Sequence, residues 1–477
     1  MQEKITKITE KVAEQINDVT VGFLENSVNH YFHGLEETMK TFGMRNFFLN
    51  RMFDGGVVPA INSLLEIEKD FTDSLLQSVY GEKNWFEAAK EMRDRVVAGS
   101  RYNELVLKLG KEIFGTATFE GEKQLHVDDH FRLTYIPAKK GTAATKMAVF
   151  HVGGILPYSD LLFRFLPEVN FFERFTEAGI PVYAMELKGD KDDIGADLGK
   201  LSLDRYVDAI KEMTDIAFKH NQNEKLVLES YCATTLTAIA YVNALPKDAD
   251  KKIKVFSTYV GPVDGSKCSV LSDMMTLLPQ NLLLTHYTMA NLTGGYVTGD
   301  SLRRTQDMAL KGFFPKTAFG RFVTGWKNKD YANVNTVADL TEEQRKDLAG
   351  AYWISPENCN RFPVPLEIAR FSTRVFVDGV GAHGEIPCQY KGTPLTFQAL
   401  LKETSIQMVG FYGEKDKLVP GETADILVKV LGNRYTKVVH KGAGHISYVL
   451  TPKVWDKKNP KALDPNPIDL ITKLYNK

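Results

Sequence analysis

Two hydrophobic rhythms divide this chain. Over the first part, Ile5, Ile8, Val12, Ile16, Val19 and Phe23 recur at steps of three and four, the period of one helix face. Residues 1–114 therefore read as an N-terminal helical region. The apolar stripe either packs within its own domain or presents a surface to a partner, an oligomer or a lipid-like body. The polar residues between are mixed in sign, so membrane electrostatics are not indicated.

After about residue 115 the rhythm changes. Short apolar runs at 131–136, 147–151, 182–186, 226–230, 253–260, 406–412 and 437–440 predict strands. Helical patterns at 163–177, 203–219, 234–244 and 422–431 lie among them. Such alternation predicts an α/β fold with a mostly parallel sheet covered on both faces. One stretch breaks it: 265–402 is long, irregular and aromatic-rich, with Trp326, Tyr331, Tyr352, Trp353, Phe362, Phe371 and Phe376. A structureless loop of that length is implausible in a compact domain. The expectation is a helical cap or lid inserted into a core formed by 115–264 and 403–477, placed over the active site and able to move.

Composition narrows the class. The 477 residues suggest two or three compact units, at roughly 150 residues each. Hydrophobic residues are 43% and charged residues 25%, ordinary for a globular protein. A net charge of −1 gives no reason to expect nucleic acid. Cys232, Cys268, Cys359 and Cys388 are few and scattered, which argues against a disulfide framework and a zinc site and for a reducing compartment. No metal or cofactor site is expected. The charged N-terminus has no signal-peptide core, and no run of 18 apolar residues occurs. A cytoplasmic protein without a transmembrane segment is the expectation.

Chemistry concentrates at three predicted strand ends. In Leu226-Val227-Leu228-Glu229-Ser230-Tyr231-Cys232-Ala233-Thr234-Thr235, an apolar strand runs into small-x-Cys-x-small and then a helix-compatible stretch. That is the shape of a nucleophile elbow, usually G-x-S-x-G, with Ser230 and Thr234 at the glycine positions. A helix N-terminus there would activate a thiol and supply the Ala233 N–H to an oxyanion. A buried structural cysteine is the alternative. Next, Asp416 stands in a glycine turn after the strand at 406–412, as a triad acid or as a turn cap. Last, His445 follows the final strand in Lys441-Gly442-Ala443-Gly444-His445-Ile446. The order nucleophile, acid, base is that of an α/β-hydrolase. Here His445 would draw the proton from Cys232 with Asp416 beside the imidazole. Gly153 and Gly154, after the strand at 147–151, are the candidate second source of an oxyanion N–H. His151 is a further candidate, and Asp264 in Gly261-Pro262-Val263-Asp264-Gly265 competes with Asp416 for the acid role.

These motifs resemble those of the polyhydroxyalkanoate (poly-3-hydroxybutyrate) synthases. That family has a G-x-C-x-G elbow, an acid in a turn like R-E-D-x-I-V-P, and a histidine in G-G-H-I followed by N-P-P. This chain has Ser230-Tyr231-Cys232-Ala233-Thr234, Glu414-Lys415-Asp416-Lys417-Leu418-Val419-Pro420, and Gly444-His445-Ile446 followed by Leu450-Thr451-Pro452. The entry 161–186 and the stretch 299–315 are similar too, so the likeness spans roughly 100–455. Lys417 stands where the family has histidine. The resemblance implies an acyltransferase of polyhydroxyalkanoate biosynthesis that acylates Cys232 from an (R)-3-hydroxyacyl-CoA and releases CoA, the CoA thioester being substrate and not cofactor. In the family the histidine activates the thiol and the aspartate helps activate the incoming hydroxyl. It also implies a homodimer attached to polyester granules. A hydrolase with the same triad, either an intracellular polyester depolymerase or a thioesterase, is the alternative, and a catalytically silent granule- or partner-binding fold is a third.

Overall fold

A computed structural model describes residues 43–477 apart from 44, 48, 144, 155–159, 189–200, 278–294, 301–302, 304–313 and 360. The stripe from Ile5 to Phe23 lies outside the described residues.

Eight strands form the central sheet: β1 Lys123–Val127, β2 Phe131–Ile136, β3 Val149–Val152, β4 Val182–Leu187, β5 Leu226–Tyr231, β6 Ile253–Tyr259, β7 Gln407–Gly413 and β8 Tyr435–His440. Their order is β1-β2-β4-β3-β5-β6-β7-β8. β2 runs antiparallel to both β1 and β4, and the ladders from β4 to β8 are parallel. An antiparallel start, a crossover at β3/β4 and a parallel remainder make this the α/β-hydrolase fold. Every residue of β3, β4 and β5 is buried, as a parallel sheet with helices on both faces requires.

The seven expected strands are all present, with ends shifted by no more than two residues. β1 is additional to them. Its five residues form a half-exposed edge strand with little apolar alternation, so only pairing with β2 defines it. The helix expected over 163–177 is broken. A 3₁₀ turn, Asp160–Arg164, is followed by a Leu166–Val169 bridge, and a helix occupies only Phe172–Glu177. Pro167 lacks an N–H and disfavours helical backbone at Leu166, which explains the break.

Helix α1, Leu203–His220, is capped by Ser202, whose side chain accepts from Arg205 N–H, and turns Tyr206, Val207, Ile210 and Met213 into the core. Helix α2, Thr234–Ala244, follows β5 directly and is buried almost throughout.

Between β6 and β7 the chain makes its long excursion. The described part holds the helices Ala318–Lys327, Glu342–Trp353 and Leu366–Val377 and two small antiparallel ribbons, Tyr296–Val297 with Val364–Pro365 and Glu385–Tyr390 with Thr393–Thr396. The N-terminal helix Trp85–Leu105 packs on this excursion through small residues. A Cβ on Gly325 would lie 2.5 Å from the Ala98 carbonyl oxygen, and one on Gly99 would lie 2.7 Å from the Phe322 ring. Tyr102 and Tyr331 both donate to Asp347, at 2.9 and 2.6 Å, tying the two layers together. Helix Val58–Val79 is turned the opposite way from a usual surface helix. Its Ser63, Ser74 and Ser78 are buried, while Ile61, Leu64, Leu65, Phe71, Leu75 and Val79 are exposed.

Candidate active site

Cys232 sits between the end of β5 and the start of α2. Its φ is +49°, a left-handed conformation that a non-glycine residue adopts only under constraint. A sharp strand-to-helix turn with a half-buried thiol is the geometry of a nucleophile elbow. The expected glycines at 230 and 234 are replaced by hydroxyl residues whose polar atoms are all used. Ser230 Oγ donates to Thr235 Oγ1 at 3.1 Å. Thr234 Oγ1 donates to the Tyr231 carbonyl at 2.9 Å and accepts from Tyr231 N–H at 3.1 Å. The tightness falls instead on Gly261, where a Cβ would lie 2.6 Å from Thr235 Cγ2.

Asp416 and His445 come from the turns after β7 and β8. These turns interlock: Glu414 N–H donates to the His440 carbonyl at 3.0 Å and Lys415 N–H to the Ala443 carbonyl at 2.8 Å. Asp416 Oδ2 is 2.8 Å from His445 Nδ1. Asp416 Oδ1 accepts from Leu418 N–H at 2.8 Å and Val419 N–H at 3.0 Å. The carboxylate thus acts as a turn cap and as the histidine's partner at once. The Cys232 thiol lies close enough to the same imidazole to act on its titration. With Nδ1 held by Asp416, the thiol is left with Nε2.

The electrostatics follow from this arrangement. Burial pulls the His445 pKa down, but the charges of Cys232 and Asp416 and the hydrogen bond to Asp416 outweigh it, and the imidazole is pushed up to about 10. The raised pKa keeps the His445 ring protonated beside the thiol and the carboxylate near neutral pH. The other cysteines near or in the core are different. Burial drives the Cys268 thiol far up and the Cys388 thiol up to about 12.

Asp264 does not compete for the acid role. Its Oδ1 accepts from Ser266 N–H at 3.2 Å and Ser266 Oγ–H at 2.6 Å, capping the turn Gly265–Lys267. Lys417 is exposed beside the acid.

The oxyanion donors need one correction. Gly153 N–H donates to the Met185 carbonyl at 3.0 Å, continuing the β3–β4 ladder, so it is not available to a substrate oxygen. Its carbonyl accepts from Tyr206 Oη–H. Gly154, at φ +111°, has no room for a side chain, since a Cβ would lie 2.5 Å from Tyr206 Oη. Ala233 N–H, half-buried at the head of α2, donates to no protein acceptor among the described residues.

His151 is not at the site. It is buried in β3 opposite Glu229 of β5, and its Nδ1 is hydrogen-bonded to the Glu229 carboxylate. Phe163 and Phe172 pack edge-on against its ring. The same β5 face carries Tyr231, whose hydroxyl donates to the His445 backbone carbonyl. Neither link is anticipated by the sequence pattern. The signal was an acid and a tyrosine at alternate positions of a strand that is apolar elsewhere except at Ser230. Among the described residues no group of three or more His, Cys, Asp or Glu is placed to hold a metal ion, and no helix is long and apolar enough to cross a membrane.

No family model matches the chain, and no curated protein matches it. Solved structures that it resembles include a monoacylglycerol lipase from Paleococcus ferrophilus, at 14% identity and a TM-score of 0.39 over 72% of this chain and 98% of that one. A soluble variant of the monoglyceride lipase from Saccharomyces cerevisiae matches at 8% and 0.41 over 74% and 93%. A thioesterase domain from the curacin biosynthetic pathway matches at 13% and 0.33 over 75% and 99%. At these values the likenesses carry no argument, and the fold assignment rests on the strand order.

Proposed function

We propose that the protein is an acyltransferase that takes an (R)-3-hydroxyacyl group from CoA onto Cys232 and passes it to the hydroxyl of another hydroxyacyl unit, building a polyhydroxyalkanoate. The observation that carries this reading is the Cys232 thiol on a strained elbow, beside an imidazole that Asp416 holds through Nδ1 at 2.8 Å.

The steps balance with these groups alone. The Cys232 thiolate attacks the thioester carbonyl, and the Ala233 N–H would stabilise the oxyanion. Collapse expels CoA, whose sulfur takes the proton from the His445 imidazolium. The acyl group now rests on Cys232 as a thioester. The neutral imidazole then accepts the proton of an incoming hydroxyl, whose oxygen attacks the acyl carbon. Collapse releases the ester and returns the thiolate, beside a reprotonated His445. A thiol suits this sequence better than a serine hydroxyl. Exchange of one thioester for another costs little free energy, so the acyl group stays activated for transfer.

The motif resemblance around Cys232, Asp416 and His445 supports polymer synthesis in particular. Attachment to an apolar granule, or pairing of two copies, is supported by the outward apolar face of helix Val58–Val79. The excursion between β6 and β7 would serve as the cap that keeps water from the acyl-enzyme. A polyester depolymerase or thioesterase with the same triad is favoured instead by one observation: Cys232 is only half-buried.

Incubation with 3-hydroxybutyryl-CoA decides between them. Thiol release with growing polymer and little free acid is expected. Thiol release matched by free 3-hydroxybutyrate would establish the hydrolase.

A further inference from the structure

Most of the bonds on the His445 loop tie it to its own side of the site. Lys415 N–H and Glu414 N–H bind it from the acid turn, Gly442 N–H donates to Glu414 Oε2 at 2.9 Å, and Gly444 N–H donates to Ser447 Oγ at 2.8 Å. These fix His445 relative to Asp416. They do nothing to fix it relative to β5, where the nucleophile is. Among the described residues, one hydrogen bond runs from β5 to the backbone of that loop. Tyr231, the residue before Cys232, sends its hydroxyl to the carbonyl oxygen of His445 itself. The phenol ring is clamped on several sides. It is 1% exposed, stacked on Tyr259 with ring centroids 6.1 Å apart, and met edge-on by Phe163 and Phe171. The His445 ring stands at 86° to it, 6.3 Å away.

We propose that Tyr231 is a positioning residue of the acyl-transfer site, a strut whose length sets the reach of the His445 imidazole to the Cys232 thiol. This rests on the reading of Cys232 as nucleophile. The strut starts in the backbone unit that carries the thiol and ends on the backbone unit that carries the base. Any movement of the histidine loop away from β5 must therefore break it. Burial raises the phenol's pKa well above the ordinary range, so it remains a donor wherever the enzyme works. The ionisable groups around it are Tyr448, Cys232, Asp416, Glu229, Tyr259 and His445.

The test compares Tyr231→Phe with Tyr259→Phe in the full-length protein. Tyr259 is the matched control: its ring is equally buried in the same stack, but its hydroxyl has no hydrogen-bond partner among the described residues. Tyr231→Phe should slow iodoacetamide alkylation of Cys232 at pH 7 by about tenfold, the scale of one neutral hydrogen bond. It should also move the pH midpoint of that alkylation upward, because a more distant imidazolium stabilises the thiolate less, and lower kcat with little change in KM. Tyr259→Phe should leave rate and midpoint at wild-type values. In a His445→Ala background the Tyr231 change should add nothing. The inference is overturned if the midpoint does not move, if Tyr259→Phe has the same effect, or if Tyr231→Phe fails to fold, since each would mark Tyr231 as core packing only. Loss of preferential Cys232 labelling in the wild type would remove the nucleophile assignment, and the strut with it. Normal wild-type labelling with an unmoved variant removes the strut alone.

Discussion

Asp416 stands 2.8 Å from His445 Nδ1 while its other carboxylate oxygen accepts two backbone N–H groups of the turn that carries it. One side chain therefore shapes its own loop and holds the His445 imidazole. Asp416→Asn keeps the size but presents an amide to the imidazole. Turnover should fall by about 10³–10⁴-fold, as expected when a triad acid no longer fixes the tautomer. Asp264→Asn, which alters only a turn cap, should stay within a few-fold of wild type. Steady-state rates of CoA release from 3-hydroxybutyryl-CoA check the ranking, and a reversed order would move the acid to the β6 turn.

Thiol reactivity should separate the cysteines. At pH 7, iodoacetamide should label Cys232 first, with Cys268 and Cys388 protected by burial that keeps their thiols protonated. Peptide mass spectrometry over a time course reads this directly. Cys232→Ala should abolish turnover and leave the circular dichroism spectrum unchanged.

Gly413 ends β7 directly beneath the histidine loop, where a Cβ would lie 2.5 Å from the Ala443 carbonyl oxygen. Backbone cannot yield as a side-chain tip can. Gly413→Ala should push His445 off its position and lower kcat on the order of 10²-fold, the scale of an ångström-sized misplacement. Folding should be retained, so kcat and the unfolding midpoint measured together test whether the loss is positional.

The pH dependence of stability has a definite sign. His445 has a folded-state pKa raised from an ordinary 6.5 to about 10. Between those values the folded state holds a proton that the unfolded chain has lost. Its contribution is fully present below about pH 6.5 and fades as pH rises toward 10. The difference in unfolding free energy between wild type and His445→Ala should therefore be level below that lower limit and shrink across the window. Urea titrations at a series of pH values measure it. A difference that grew with pH would mean that the ring is neutral in the folded protein.

Local pattern carried a good deal of this. Strands such as Leu226–Tyr231 and Val182–Leu187 are mostly apolar runs, broken by Glu229, Ser230 and Glu186, because both faces are buried, and a run of that kind is visible without any partner. The order of Cys232, Asp416 and His445 is visible for the same reason: each follows a recognisable strand, and small residues mark the turns. What the chain's pattern could not decide was every choice made by contact between distant segments. β1 exists only through its pairing with β2. Asp416 was separated from Asp264 by which turn faces the histidine, and Gly153 lost its oxyanion role to a ladder bond with Met185. The Tyr231–His445 bond joins residues 214 positions apart. Hydrophobic periodicity is a property of one segment and its solvent. Hydrogen-bond partnership depends on two segments meeting, and only the folded chain sets that.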